Sequence, residues 1–140
     1  MHKFRFRFQK VLDYRMMLEE SAKEAYRLAR AASLEAENKF QAMRKKLADA
    51  LKTPGETIEE MMIWETYIER LEDEIEQQIA LIEIRKKEEA TAFANWREAR
   101  KSRKSLQKLC DIAKEAWSKE IEKTEQKQLD EWTVLKREAK

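Results

Sequence analysis

Apolar residues in the first third of the chain recur at alternating spacings of three and four. Phe8, Val11, Leu18, Ala22, Ala25, Ala29, Ala32 and Ala36 keep that rhythm, with Arg15 as its polar interruption, which is the repeat of a coiled-coil seam along a helix. Alanine in the middle of the seam lets two backbones approach closely while burying little area per layer. Phe40, Met43, Leu47 and Ala50 or Leu51 carry the line on after one extra residue, so a stutter and a locally unwound supercoil are expected between Ala36 and Phe40. A second series follows: Met61, Trp64, Ile68, Leu71, Ile75, Ile79 and Ile82. Residues 83–92 are mostly charged or alanine and predict a flexible or solvated stretch, after which Phe93, Trp96, Leu106, Leu109, Ala113, Trp117 and Ile121 resume the pattern.

The single proline and the single glycine of the chain are adjacent, Pro54-Gly55, between the two series. A fixed φ followed by a residue free to take positive φ reverses the chain where neither helix can continue. The pattern therefore predicts a first helix over about 4–52, a turn at 53–56 and a second helix over about 57–138. Thr53 or Thr57 is placed to cap the second helix, and Glu59 and Glu60 follow where the first turn favours negative charge. At roughly 1.5 Å per residue that helix reaches about 120 Å, which no compact domain of this size accommodates. The fold class expected is all-α: one coiled-coil domain over 1–140, an antiparallel two-helix hairpin whose longer second helix overhangs.

Charge supports the same pairing. Residues 56–76 carry nine acids and one base, residues 39–52 five bases and one acid, and folding at Pro54-Gly55 sets the runs side by side. Exposed pairs are worth only about 0.2–1 kcal/mol each, so the runs select antiparallel register more than they add stability. The fold also sets residue i opposite 109 minus i. Cys110 to Lys140 then overhangs with Ala113, Trp117, Ile121, Leu129, Trp132, Val134 and Leu135 on it, and a lone helix with an apolar stripe needs a surface to pack against. The end where the termini meet is the expected partner end, its basic side drawn from Lys3, Arg5, Arg7, Lys10, Arg97, Arg100, Lys101, Arg103 and Lys104.

Composition narrows the function. Charged residues are 41% of the chain at a net charge of +2, the usage of coiled coils rather than of a strong polyanion binder. Cys110 and His2 are the only residues of their kinds, so neither an intrachain disulfide nor a zinc cluster is expected. No apolar run suits a secretory signal or a membrane span, and a cytoplasmic protein is expected. There is no phosphate-cradling GxxxxGK[ST] run and no GxSxG elbow, and a two-helix coil offers no cleft to separate the pKa values of paired carboxylates. No enzyme, cofactor, metal or small-molecule ligand is expected. A nucleic-acid reading of the cluster Arg97 to Lys108 is opposed by the acids of Glu56 to Glu76.

The run Phe4-Arg5-Phe6-Arg7-Phe8-Gln9-Lys10-Val11-Leu12-Asp13-Tyr14-Arg15, with Glu19 or Glu20 and Lys23 after it, closely resembles the start of the FliJ family of flagellar type III export proteins. Tyr67-Ile68-Glu69-Arg70-Leu71-Glu72 with Ile75, Trp96-Arg97-Glu98-Ala99-Arg100-Lys101 leading to Leu106 and Leu109, and Glu125-Gln126-Lys127-Gln128-Leu129-Asp130-Glu131 follow in the family's order. The resemblance implies a soluble, non-enzymatic component of the flagellar export apparatus, similar to the central stalk subunit of rotary ATPases. Its partners would be the export ATPase ring, the cytoplasmic region of the transmembrane export gate and substrate-specific export chaperones. It would sit at the cytoplasmic face of the inner membrane through those partners alone.

Carried onto this chain, the resemblance implies ATPase contacts at Phe4, Phe8, Leu12, Arg15, Trp117, Gln126, Lys127, Asp130 and Glu131. It implies export-gate contacts at Met43, Tyr67, Leu71, Glu74 and Gln78. Plainer readings stand beside these. Phe4, Phe6 and Phe8 also fit an unstructured basic arm or the start of the seam, and Arg15 fits an arginine whose stem covers the seam while its head reaches water. Gln126, Lys127, Asp130 and Glu131 fit a solvated face, Trp117 and Trp132 either partner anchors or self-association, Cys110 a small seam residue and His2 a disordered end. The alternatives at the level of function are the equivalent stalk protein of a virulence type III secretion system and a generic self-associating coiled-coil scaffold.

Overall fold

The computed structural model describes residues 3–139 and has the expected fold class. It is all-α, with α1 over Gln9–Leu51 and α2 over Ile58–Glu138 and no strand among the described residues. His2 lies outside the described residues. Neither helix contains proline or glycine, and both are filled with alanine, leucine, glutamate, lysine and arginine, the residues that cost a helix least.

The turn resolves the choice of cap. Thr57 Oγ1 accepts from the Glu60 amide at 3.1 Å, while Glu60 Oε2 accepts from the amides of Glu56 at 2.9 Å and Thr57 at 3.4 Å. This reciprocal capping box satisfies otherwise orphaned donors at the start of α2. The same donors, Glu56 first, hold the Glu60 carboxyl below the usual carboxylate range. Gly55 takes φ +83°, and a Cβ there would stand 2.8 Å from the Glu60 Cβ, so glycine is required on both counts. At the other end, α1 starts at Gln9 rather than near residue 4. Phe4 and Phe6 pack against the core cluster of the chain ends, and two side chains of alternate residues reach one surface when the backbone is extended.

The chain groups into two compact units, Met1–Glu19 with Glu98–Lys140, and Glu20–Arg97. The second is an antiparallel helical hairpin. Along its α1 segment the core line of half-buried or buried positions runs Ala22, Tyr26, Ala29, Ser33, Ala36, Phe40, Met43, Leu47 and Ala50, with Ala32 and Glu37 half-buried beside it. That line alternates threes and fours without an insertion, so the expected stutter is absent. The expectation followed Ala25 and Ala32, which lie beside the core line, and passed over Ser33, which is 5% exposed. On α2 the line runs Trp64, Ile68, Leu71, Ile75, Gln78, Ile82, Arg85, Glu89, Ala92 and Trp96. It crosses the stretch expected to be solvated without breaking. Ile79, expected in the seam, is half exposed, and Gln78 takes the interior place with its Nε2 donating to the Ala36 carbonyl at 2.9 Å.

Register differs from the rule drawn about the turn. That rule sets Glu59 opposite Ala50 and Asp73 opposite Ala36, whereas Trp64 Nε1 donates to the Ala50 carbonyl at 2.7 Å and Gln78 to that of Ala36. Side chains lean toward the N-terminus of their helix, so those of α1 lean away from the turn and those of α2 toward it. Each α1 residue therefore meets a residue farther along α2. Among the described residues no ion pair joins the runs 39–52 and 56–76; Lys86 to Glu37, at 3.1 Å, is the pair across this hairpin. Tyr26 stacks on Trp96 at 5.5 Å and meets Phe93 at 5.2 Å, an aromatic layer bordered by Ala22, Ala29 and Ala92 in which the buried Trp96 Nε1 has no hydrogen-bond partner.

Candidate functional site

The unit formed by the chain ends has its own core. Leu12, Leu106 and Cys110 are buried together, with Phe4 and Phe6 packed on them, and the Phe4 ring lies 5.8 Å from that of Trp117. The overhang consequently begins later than expected. Cys110 is buried and Ala113, Trp117 and Ile121 are half-buried, while every described residue from Glu122 onward is exposed. The displacement of register along α2, together with the arm of residues 3–8 folding onto the helices, accounts for the difference.

Three charged residues stand in this core line: Arg15, Glu19 and Arg103. Arg103 donates to Glu19 through Nε at 2.6 Å and Nη2 at 3.2 Å, with 24% and 18% of the respective side chains exposed. The Arg103 hydrogen bond holds the Glu19 carboxyl below its usual range, assisted by the charges of Arg103, Arg100 and Lys104 and opposed by burial. The same bond raises Arg103. Neither partner had been singled out as half of a pair; opposite charges at matching core positions were the available signal. Arg15, half-buried as its seam position implies, ends on the Ser102 carbonyl at 3.0 Å through Nη1.

Of the residues assigned to an ATPase contact, Phe4, Leu12 and Trp117 are thus gathered in one packed group, with Arg15 in the same unit. Phe8 is 44% exposed, with the Arg7 guanidinium 5.5 Å from its ring. Gln126, Lys127, Asp130 and Glu131 lie on the exposed last part of α2, where Gln126 Nε2 donates to Asp130 Oδ1 at 3.1 Å. Leu129, Trp132, Val134 and Leu135 on that stretch are each more than half exposed, and the Lys136 ammonium sits 4.8 Å from the Trp132 ring. Lys3, Arg5, Arg7, Lys10, Arg100, Lys101 and Lys104 are exposed in this unit, whereas Arg97 belongs to the hairpin and lies over Phe93.

The residues assigned to an export-gate contact all fall in the hairpin. Leu71 and Gln78 are interior, at 2% and 6% exposure, and present no side chain to a partner. Met43, Tyr67 and Glu74 are half-buried, Glu74 paired with Arg70 at 3.4 Å. Tyr67 lines an open depression with Met62, Ile63, Thr66 and Arg70. Among the described residues no three His, Cys, Asp or Glu side chains are placed to hold a metal, and no helix is long and apolar enough to cross a membrane.

Neither a curated protein nor a solved structure matches the chain. The family model described as the flagellar FliJ protein matches residues 4–137, a span that takes in the folded-back arm, both helices and nearly all of the exposed end of α2. The chain therefore belongs to the flagellar FliJ family and is a flagellar export-related protein.

Proposed function

We propose that this chain is a non-enzymatic, central-stalk-like subunit whose packed termini and exposed α2 end bind the ring of the flagellar export ATPase, promoting its assembly and turnover. The observation that carries the reading is that α2 continues past the last residue it shares with the chain's other end, with Leu129, Trp132 and Leu135 more than half exposed. A helix in water is held by packing rather than propensity, and those residues beside Gln126, Lys127, Asp130 and Glu131 suit the lining of a pore. One asymmetric subunit inside a symmetric ring contacts its members unequally. It therefore biases successive sites through differential binding of their states.

Met43, Tyr67 and Glu74 carry the link to the export gate in this reading. Export chaperones are the further partners, and the protein is peripheral to the membrane through its partners. The test mixes the full chain with its cognate export ATPase and measures ring formation and hydrolysis. Stimulation by the full chain, lost on truncation after Ile121 and reduced by deletion of residues 3–8, is the expected result. Unchanged hydrolysis with the full chain overturns the coupling. A stable oligomer without ATPase that the truncation dissolves would favour a self-associating scaffold instead.

A further inference from the structure

With the core positions of the coil lettered a and d, the chain-end unit has a at Leu12 and Glu19 and d at Arg15 on α1. On α2 it has a at Arg103, Cys110 and Trp117, and d at Leu106 and Ala113. A coil closed by two helices needs only that narrow seam, whereas apolar residues extended to one flank are the pattern of a helix that packs in a bundle. Both helices carry the extension here. On α1 the g and c positions are Val11, Tyr14 and Leu18, at 43%, 56% and 43% exposure. On α2 they are Leu109 and Ile112, at 53% and 57%, continued by the small residues Ser102 and Ser105.

These two stripes border one groove. Antiparallel helices set e beside e and g beside g, as the e-position residues Glu37 and Lys86 show in the hairpin by meeting as an ion pair. In the chain-end unit the Arg15 guanidinium reaches the carbonyl of Ser102, a g residue. The opposite flank, at e and b, is polar apart from Met16: Asp13, Gln107, Lys104, Asp111 and Lys114. So the apolar extension is one-sided, and it ends where Glu98 occupies the position one turn before Ser102.

The outer rim of that groove is basic. The f positions beyond the apolar stripes hold exposed Lys10, Lys101 and Lys108, with the uncharged Met17 next after Lys10 on α1, and the acid on the α2 line, Glu115, is already paired with Lys119 at 3.4 Å. A second copy of the chain would bring the same lysines face to face, and α2 runs unbroken to Glu138, so its own end cannot fold back into the groove. We infer that the groove between Val11-Tyr14-Leu18 and Leu109-Ile112 receives a third helix from a partner protein, one with apolar residues at three-four spacing flanked by aspartate or glutamate. The inference is independent of the ATPase reading and its test uses no ATPase.

The probe is a labelled designed peptide of about four heptads with leucine at a and d and glutamate at the flanking positions, compared with a twin carrying lysine there. Fluorescence anisotropy with the full chain is expected to show the glutamate peptide binding at least about tenfold more tightly than its twin. Tyr14→Ser combined with Leu109→Ser, both at exposed positions, is expected to weaken that binding about tenfold while helicity and melting stay close to the parent. Lys10→Glu, Lys101→Glu and Lys108→Glu together should reverse the preference. Absent binding, equal binding of the two peptides, or binding indifferent to Tyr14→Ser with Leu109→Ser overturns the proposal. So does a chain dimer that those two substitutions dissolve.

Discussion

The hairpin of Glu20–Arg97 and the unit of the chain ends are built on the same repeat and fill it differently. In the hairpin the core line holds Ile68, Leu71, Ala36, Tyr26 and Trp96, with the exposed Phe93 packed beside the last two, and the flanking g positions include Lys39, Lys46, Glu74 and Glu88 as well as Tyr67 and Leu81. Most core places there are apolar, although Leu28, Leu34, Ile63 and Ile84 also stand exposed on the outer faces of the two helices. In the chain-end unit Arg15, Glu19 and Arg103 take core places while Val11, Tyr14, Leu18, Leu109 and Ile112 stand on the flank. Apolar side chains are there moved from the interior to the outside. A half-buried ion pair adds less to stability than well-packed apolar residues, so the unit of the chain ends is held less firmly by its own core.

Substitutions at the two best-buried leucines probe that contrast most strongly. Leu71→Ala in the hairpin and Leu12→Ala at the ends each remove a side chain that is 2% exposed, at an expected cost of about 2–4 kcal/mol. Hydrogen exchange separates them: Leu71→Ala should lower protection throughout, Leu12→Ala mainly in residues 9–19 and 98–121. A single common transition in both variants would erase the distinction between the regions. Gly55→Ala is next, at about 1–2 kcal/mol from the left-handed backbone alone, read from the midpoint of urea unfolding with an unchanged slope.

Glu19→Gln is expected to cost about 1 kcal/mol at neutral pH. Because the folded state holds the Glu19 carboxyl below its ordinary value, its contribution is complete above about pH 4.3 and fades as pH falls through the lowered folded value. The stability difference between parent and variant should thus shrink on acidification; a difference that grows would contradict the pair. Trp132→Ala and Leu135→Ala come last on this scale, within about 0.5 kcal/mol, yet each should cut stimulation of the export ATPase severalfold. Full stimulation by both would leave the exposed end of α2 without the role proposed.

Much of the hairpin was legible because its signals are local. Pro54-Gly55 marks the turn, Thr57 and Glu60 stand at capping spacing, and Trp64, Ile68, Leu71 and Ile75 lie on the observed core line. The core line of α1 was misread for a physical reason. Val11, Leu18, Ala25 and Ala32 form a regular apolar row one position before the true line of Leu12, Glu19, Tyr26 and Ser33, so hydrophobicity alone selects the wrong row and then needs a stutter to rejoin Phe40. At the candidate site the family resemblance named Phe4, Leu12, Arg15 and Trp117, which the fold gathers into one unit. It also named Leu71 and Gln78, whose interior places depend on register between helices, a quantity that no single helix's pattern contains.

The turn has a kinetic consequence. Trp64 reaches a partner 14 residues away in sequence, Gln78 one 42 away and Arg103 one 84 away, and closing entropy rises with each enclosed length. Contacts beside the capped reversal therefore form first and the remainder zip outward from it, leaving the termini last to close and first to fray. A newly made chain would thus complete its stem before its two ends close on each other, and any partner that gripped those ends would be fastening the final teeth of the zipper.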